Sequence, residues 1–182
     1  MRIQTTPIDG LLLITPDVFA DDRGYFFESF SSQKYAEVFA SHSFVQDNIS
    51  KSQRGTVRGL HYQVGKNAQG KLCQVLAGRV LDVAVDIRFG SPTFGKYFAV
   101  ELSEENHLQF WLPPGFAHGF SVLSDAAMFQ YKCTAPYSRT DERSIRYDDP
   151  SIGIDWNVDD PIVSPRDKNA PLFITIDQDF TY

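Results

Sequence analysis

Sulfur is scarce in this sequence: two cysteines, Cys73 and Cys133, and two methionines among 182 residues. The cysteines lie far apart and form no CxxC pair or zinc-finger spacing, which excludes a disulfide framework and a zinc module of that type. They read as reduced core residues. Long apolar runs are also missing. The stretch Leu11 to Ile14 is among the longest, against the roughly 20 residues that span a bilayer. Met1-Arg2 leads into polar residues without an apolar signal core, so the expected compartment is the cytoplasm, with no membrane partner. A basic excess is absent too. Seventeen Lys and Arg face 23 Asp and Glu, a net charge of −6, and no basic stripe appears, so nucleic acid is not an expected partner. A small anionic ligand stays compatible, because a few basic side chains in one pocket can outweigh the global sign.

What is present is an ordinary globular composition, 42% hydrophobic and 22% charged, on a length that fits one domain over residues 1–182. No repeat, low-complexity tract or linker divides it. Strand signals dominate. In Leu81 to Arg88, Leu81, Val83, Val85 and Ile87 alternate with Asp82, Ala84, Asp86 and Arg88, predicting a strand with one buried face. Leu72 to Leu76 precedes it, and Ala77-Gly78-Arg79 reads as a hairpin turn. Further strands are predicted at Gly24–Phe30, Thr56–Gln63, Lys96–Leu102, His107–Leu112, Gly119–Leu123 and Ala127–Cys133. One helix is predicted, Ser32–Ala40, with Tyr35, Val38 and Phe39 as its core stripe. From Asp148 onward the Asp, Pro and Asn content predicts turns and short helical pieces packed over the rest. About eight short strands with little helix predict an all-β jelly roll or small barrel.

Four clusters could carry chemistry. The first is Arg58-Gly59-Leu60-His61-Tyr62-Gln63. Side chains of a regular strand alternate, so Arg58 and His61 would point apart; a bulge at Gly59 could bring them to one side. Lys71 follows, expected on an adjoining strand. The second cluster is the Pro113-Pro114-Gly115 turn leading to His118. The third is Gln130-Tyr131-Lys132 with Tyr137 beyond it, and the fourth Ser164-Pro165-Arg166-Asp167-Lys168. Taken singly, each has a plainer meaning: His118 a satisfied structural histidine, Tyr131 a core phenol, Arg166 to Lys168 a solvated turn, Arg23 a surface partner of Asp21 or Asp22. A cupin-type metal site is disfavoured. The HxH position reads His61-Tyr62-Gln63, no glutamate lies between His61 and Glu101, and two imidazoles are too few for a three-ligand centre. A metal-dependent oxygenase and a non-catalytic sugar-nucleotide binder are therefore secondary readings.

Together the motifs resemble the dTDP-4-dehydrorhamnose 3,5-epimerase family over nearly the whole chain. They run, in order, Asp22 to Ser29, Phe44 to Asn48, Val57 to Gln63, Gln69 to Leu72, Asp82 to Arg88, Gly90 to Gly95, Pro114 to Phe120, and Tyr131-Lys132. The resemblance implies a double-stranded β-helix (cupin) barrel with a few short helices and no metal or other cofactor. It implies a homodimer with exchanged N-terminal strands. The implied reaction is inversion of C3 and C5 of dTDP-4-dehydro-6-deoxy-glucose within dTDP-rhamnose synthesis. A single-carbon epimerase or a ketoisomerase acting on a related dTDP-4-keto sugar is the alternative.

By the same resemblance, His61 matches the base and Asp167 the carboxylate that orients it. Tyr131 matches the acid on the opposite ring face, and Lys71 the cation near the C4 oxygen. An imidazole with its ordinary pKa near 6.5 suits proton abstraction near neutrality. A phenol with a pKa near 10 stays protonated until needed. His118 and Arg58 match sugar-side contacts, and Arg23 and Arg166 match diphosphate contacts. Glu28, Gln46, Asp47, Asn48 and Glu142 match further substrate positions, and Tyr137 the aromatic that stacks on thymine. Arg23 and Glu28 could serve a partner's site. Ile49 and Arg166 depart from the family's usual histidine and lysine, and the tail after Lys168 matches nothing familiar.

Overall fold

The computed structural model describes residues 1–36, 38–39 and 42–182. Fourteen strands occur among them. The N-terminal quarter carries β1 (Arg2–Thr5), β2 (Leu12–Thr15), β3 (Val18–Asp21) and β4 (Gly24–Phe27). The central part carries β5 (Gln46–Gln53), β6 (Thr56–Gln63), β7 (Lys71–Ala77), β8 (Arg79–Asp86) and β9 (Tyr97–Ser103). Then come β10 (Gln109–Leu112), β11 (Phe116–Val122), β12 (Ala126–Cys133), β13 (Glu142–Ser144) and β14 (Ile162–Val163). One short helix, α1 (Pro165–Lys168), follows.

These strands form two facing sheets. One runs β1-β2-β10-β7-β12-β5, the other β13-β6-β11-β8-β9, with β14 added in parallel to β6. β3 and β4 pair only with each other. The expected jelly-roll barrel is therefore present. The turn at Gly78 is not a hairpin, however. β7 and β8 belong to different sheets, and the turn carries the chain from one to the other. Gly78 has φ +78°, and a Cβ there would lie 2.1 Å from the Ala126 carbonyl oxygen, so only glycine fits. Lys71 likewise lies across the barrel from the His61 strand rather than beside it.

Period-two alternation explains the core. Val80 and Ala84 of β8, Phe116, Phe120 and Val122 of β11, and Cys73 and Val75 of β7 point into the barrel. Phe110 and Leu112 of β10 and Ala127 and Phe129 of β12 meet them there. The opposite faces are covered as well. Leu81, Val83 and Val85 pack under Ile145, Ile152, Trp156, Ile176 and Phe180 of the C-terminal segment. Leu72, Trp111 and Ile14 pack under Tyr35 and Phe39. β8 is thus buried on both faces, not one, because the tail acts as an outer layer. Tyr35 and Phe39 are core residues as expected, but the described residues of 32–39 form turns rather than one helix. Glu37 and Ala40 of the predicted helix lie outside the described residues.

Candidate active site

The barrel opens into a cavity of about 390 Å³, lined by Gln46, Asn48, Ser50, Arg58, His61, Gln69, Lys71, His118, Tyr131, Tyr137 and Glu142 among others. A second opening, lined by Lys51, Arg58, His61, Ala126, Ser164, Arg166 and Asp167, adjoins it through Arg58 and His61.

Arg58 and His61 share the cavity because β6 is irregular between them. His61 is opposite His118 and Arg58 opposite Phe120, so Gly59 and Leu60 together face Gly119 alone. This is the bulge the glycine permits. Gly59 has φ +131°, and a Cβ there would stand 2.6 Å from the Gly119 Cα. Ser52, on β5, fixes the other end of the motif by accepting the Arg58 Nε–H at 3.1 Å.

His61 Nε2 meets Asp167 Oδ1 at 2.7 Å. The carboxylate is held from behind: the Gly59 N–H reaches its Oδ2 at 3.4 Å, and Ser164 caps α1 by accepting the Asp167 N–H at 3.1 Å. Burial raises the Asp167 pKa, but the bond to His61 and those backbone anchors outweigh it, and the net shift is downward. Asp167 is therefore a carboxylate, Nε2 carries the proton that it accepts, and Nδ1 keeps its lone pair. The side chains of His61 and Asp167 are 31% and 5% exposed. The imidazole reaches the cavity and the carboxylate stays behind it.

Tyr131 (β12) and Lys71 (β7) occupy the same cavity. Burial pushes the Tyr131 phenol up to about 12, so it is a proton donor throughout the neutral range. Burial pushes the Lys71 ammonium down. Lys71 Nζ stands 3.4 Å from the His61 carbonyl oxygen and 5.8 Å from the Tyr131 ring centre. A base, an acid and a cation thus bound one enclosed space. Such a set can move protons at a carbon next to a carbonyl while stabilising the enolate oxygen.

At the cavity rim, Glu142 Oε2 receives Arg166 Nη2 at 2.7 Å and the Tyr137 hydroxyl at 2.9 Å. Burial raises the Glu142 pKa, yet the bonds from Arg166 and Tyr137 prevail and lower it. Gln46 accepts the Tyr137 N–H at 2.8 Å and donates to Asn48 at 3.0 Å. Tyr137 itself is 52% exposed, its ring free to stack. Arg58, Lys71 and Arg166 give this acidic chain a cationic cavity and mouth.

Three expected residues lie elsewhere in the chain. Asp47 points away from the cavity, because its neighbours Gln46 and Asn48 take the inward positions of β5; it pairs with Lys132 at 2.8 Å. Arg23 pairs with Asp21 at the exposed β3–β4 turn, and Glu28 pairs with Lys34. Sequence reasoning missed Asp82. It is fully buried and takes His118 Nε2 at 2.6 Å. Its place in the alternation of β8 suggested solvent, and only the tail covering the other face reveals the inward direction. Burial lowers the pKa of His118 despite that carboxylate.

Comparison with known proteins completes the description. A family model described as dTDP-4-dehydrorhamnose 3,5-epimerase matches residues 5–174. The dTDP-4-dehydrorhamnose 3,5-epimerase of Shigella flexneri is 50% identical over 178 residues, covering 97% of this chain and 98% of that protein. A crystal structure of dTDP-6-deoxy-D-glucose-3,5-epimerase from Legionella pneumophila, in complex with dTDP-4-keto-L-rhamnose, superposes with a TM-score of 0.95. Its identity is 51%, covering 100% of this chain and 98% of that one. The dTDP-4-dehydrorhamnose 3,5-epimerase of Elizabethkingia anophelis gives a TM-score of 0.90 at 50% identity, covering 96% and 97% of the two chains.

Proposed function

The chain belongs to the dTDP-4-dehydrorhamnose 3,5-epimerase family, and we propose that His61 and Tyr131 are its acid–base pair. It is an isomerase of dTDP-rhamnose biosynthesis that epimerises C3 and C5 of dTDP-4-dehydro-6-deoxy-glucose. Both carbons flank the C4 ketone, so loss of a proton from either leaves an enolate. Nδ1 of His61 takes the proton on one face, and Asp167 stabilises the imidazolium. Tyr131 returns a proton on the other face. Lys71 stands by the C4 oxygen as negative charge develops there. Neither inversion changes an oxidation state, so the chemistry needs no redox cofactor.

The observation that carries these roles is the shared cavity: His61, backed by Asp167 at 2.7 Å, and Tyr131 line one space with Lys71. Arg58 and His118 contact the sugar, Tyr137 stacks on thymine, and Gln46, Asn48, Glu142 and Arg166 bind toward the nucleotide. The enzyme works in the cytoplasm, and no described helix is long and apolar enough to cross a membrane.

It works as a homodimer whose N-terminal strands reach the partner. Two features support this. The β3–β4 hairpin has no further sheet partner, a marginal arrangement in water, and exposes Phe19, Tyr25 and Phe26 at 66%, 54% and 70%. Arg23 and Glu28 lie on and beside it, away from their own cavity, and complete the partner's diphosphate site. Proton NMR of the product from purified enzyme tests the reaction. Ring couplings expected for inversion at both carbons support it, and a singly inverted sugar contradicts it.

A further inference from the structure

Inside the barrel, just behind the catalytic cavity, a thiol, a carboxylate and an imidazole converge without any sequence motif. Cys73 comes from β7 of one sheet, Asp82 and His118 from β8 and β11 of the other. Their donor atoms lie within 4.8 Å of one another, and all three residues are buried. His118 Nε2 is 2.6 Å from Asp82 Oδ1 and 3.7 Å from Cys73 Sγ. Asp82 Oδ2 is buried and has no hydrogen-bond partner. An orphaned carboxylate oxygen in an apolar interior is costly, and a cation would satisfy it. Among the described residues no other such trio converges.

We propose that Cys73, Asp82 and His118 form an inhibitory site for zinc or a similar borderline-soft divalent metal. One sulfur, one imidazole nitrogen and one carboxylate oxygen make a typical three-ligand zinc set with an open fourth position. Zn–S near 2.3 Å and Zn–N near 2.0 Å place sulfur and nitrogen roughly 3.5 Å apart in a tetrahedron, close to the separation seen here. Asp82 supplies Oδ2, its unused oxygen. On binding, the Cys73 S–H proton passes to solvent and sulfur bonds to the metal as thiolate. The imidazole binds through Nε2 as its Nδ1–H tautomer, so the Nε2–H bond to Asp82 is given up. No electron changes hands.

The open position faces the cavity that His118 lines. Occupation therefore fixes His118, adds positive charge beside Lys71 and lowers turnover. Lys71 also opposes the cation, which keeps the site weaker than a closed structural centre. The metal is an inhibitor, and the inhibition rests on the acid–base reading above, whereas metal binding does not.

Cobalt(II) titrated into EDTA-treated enzyme tests both parts. The expected result is a thiolate-to-cobalt charge-transfer band with tetrahedral d–d absorption, bleached by Zn²⁺, and inhibition by Zn²⁺ that EDTA reverses. Cys73→Ser should lose the band and need at least ~10-fold more Zn²⁺ for half-inhibition, the scale of disturbing a metal's ligand environment. Cys133→Ser should keep both, with folding of each variant checked by circular dichroism. Absence of the band in the wild type, or Cys73→Ser with unchanged band and inhibition, overturns the proposal. The band without inhibition leaves the site but removes its inhibitory role.

Discussion

His61 and Asp167 divide one task between them: the imidazole reaches the sugar, and the buried carboxylate sets its tautomer. Replacing His61 with Ala should cut turnover by about 10²- to 10⁴-fold, the usual weight of a positioned acid–base group. Binding of dTDP alone should stay nearly unchanged, because the residue faces the sugar; isothermal titration alongside the rate assay checks both. His118 carries a different signature. Burial depresses its folded pKa, so folding favours the neutral ring. That stabilisation is present above the unfolded value near 6.5 and is lost as pH falls through the folded value. His118→Asn keeps a donor for Asp82 but cannot titrate. Its denaturation midpoint should fall less than that of the wild type between about pH 7 and about pH 5, and equal slopes would contradict this. At this scale His61, Tyr131, Lys71 and Asp167 were legible through motif order. Asp82 was not, because a charged residue in an alternating strand looks solvent-facing until something is known to cover the other side.

Strand β6 shows how an element makes a site. Without its irregularity, alternation would turn Arg58 and His61 to opposite faces. Gly59→Ala would put a Cβ 2.6 Å from the Gly119 Cα and 2.9 Å from the His118 carbonyl oxygen at φ +131°. The expected loss is about 2–4 kcal/mol of stability, from strain plus overpacking, together with most of the activity. Urea unfolding and a rate assay read both; a stable, active variant would contradict the bulge's role. Strands with apolar alternation, such as Thr56–Gln63, were visible in the sequence to the residue. β5 (Gln46–Gln53) was not, because it reads Gln-Asp-Asn-Ile-Ser-Lys-Ser-Gln. Its inward side chains line a polar cavity, so both faces are hydrophilic and no period-two contrast remains. The turn at Gly78 shows the complementary failure. Local chemistry identifies a turn but not which sheet the next strand joins.

For the molecule as a whole, the outer layers were the least legible part. The C-terminal segment has little periodicity, yet it buries the outer face of the second sheet with Trp156, Ile176 and Phe180. Its value depends on a partner surface far away in sequence. The β3–β4 hairpin poses the same question between molecules. If Arg23 completes the partner's site, Arg23→Ala should chiefly raise KM, since diphosphate contacts are made equally before and during reaction. Mixing Arg23→Ala protomers with His61→Ala protomers, under conditions that allow exchange, should restore activity above either variant alone. A hybrid with one intact composite site explains that gain. No restoration, despite exchange shown by mass spectrometry, would place Arg23 in its own chain's site or in none.

The central claim is that one cavity holds a base and an acid on opposite faces of a single sugar ring. Incubating the enzyme with dTDP-4-dehydro-6-deoxy-glucose in deuterated water and locating the label by NMR tests it most directly. The account predicts solvent deuterium at both C3 and C5 of the product and none at either carbon with His61→Ala. Label at one carbon alone, or undiminished exchange in the variant, would contradict it.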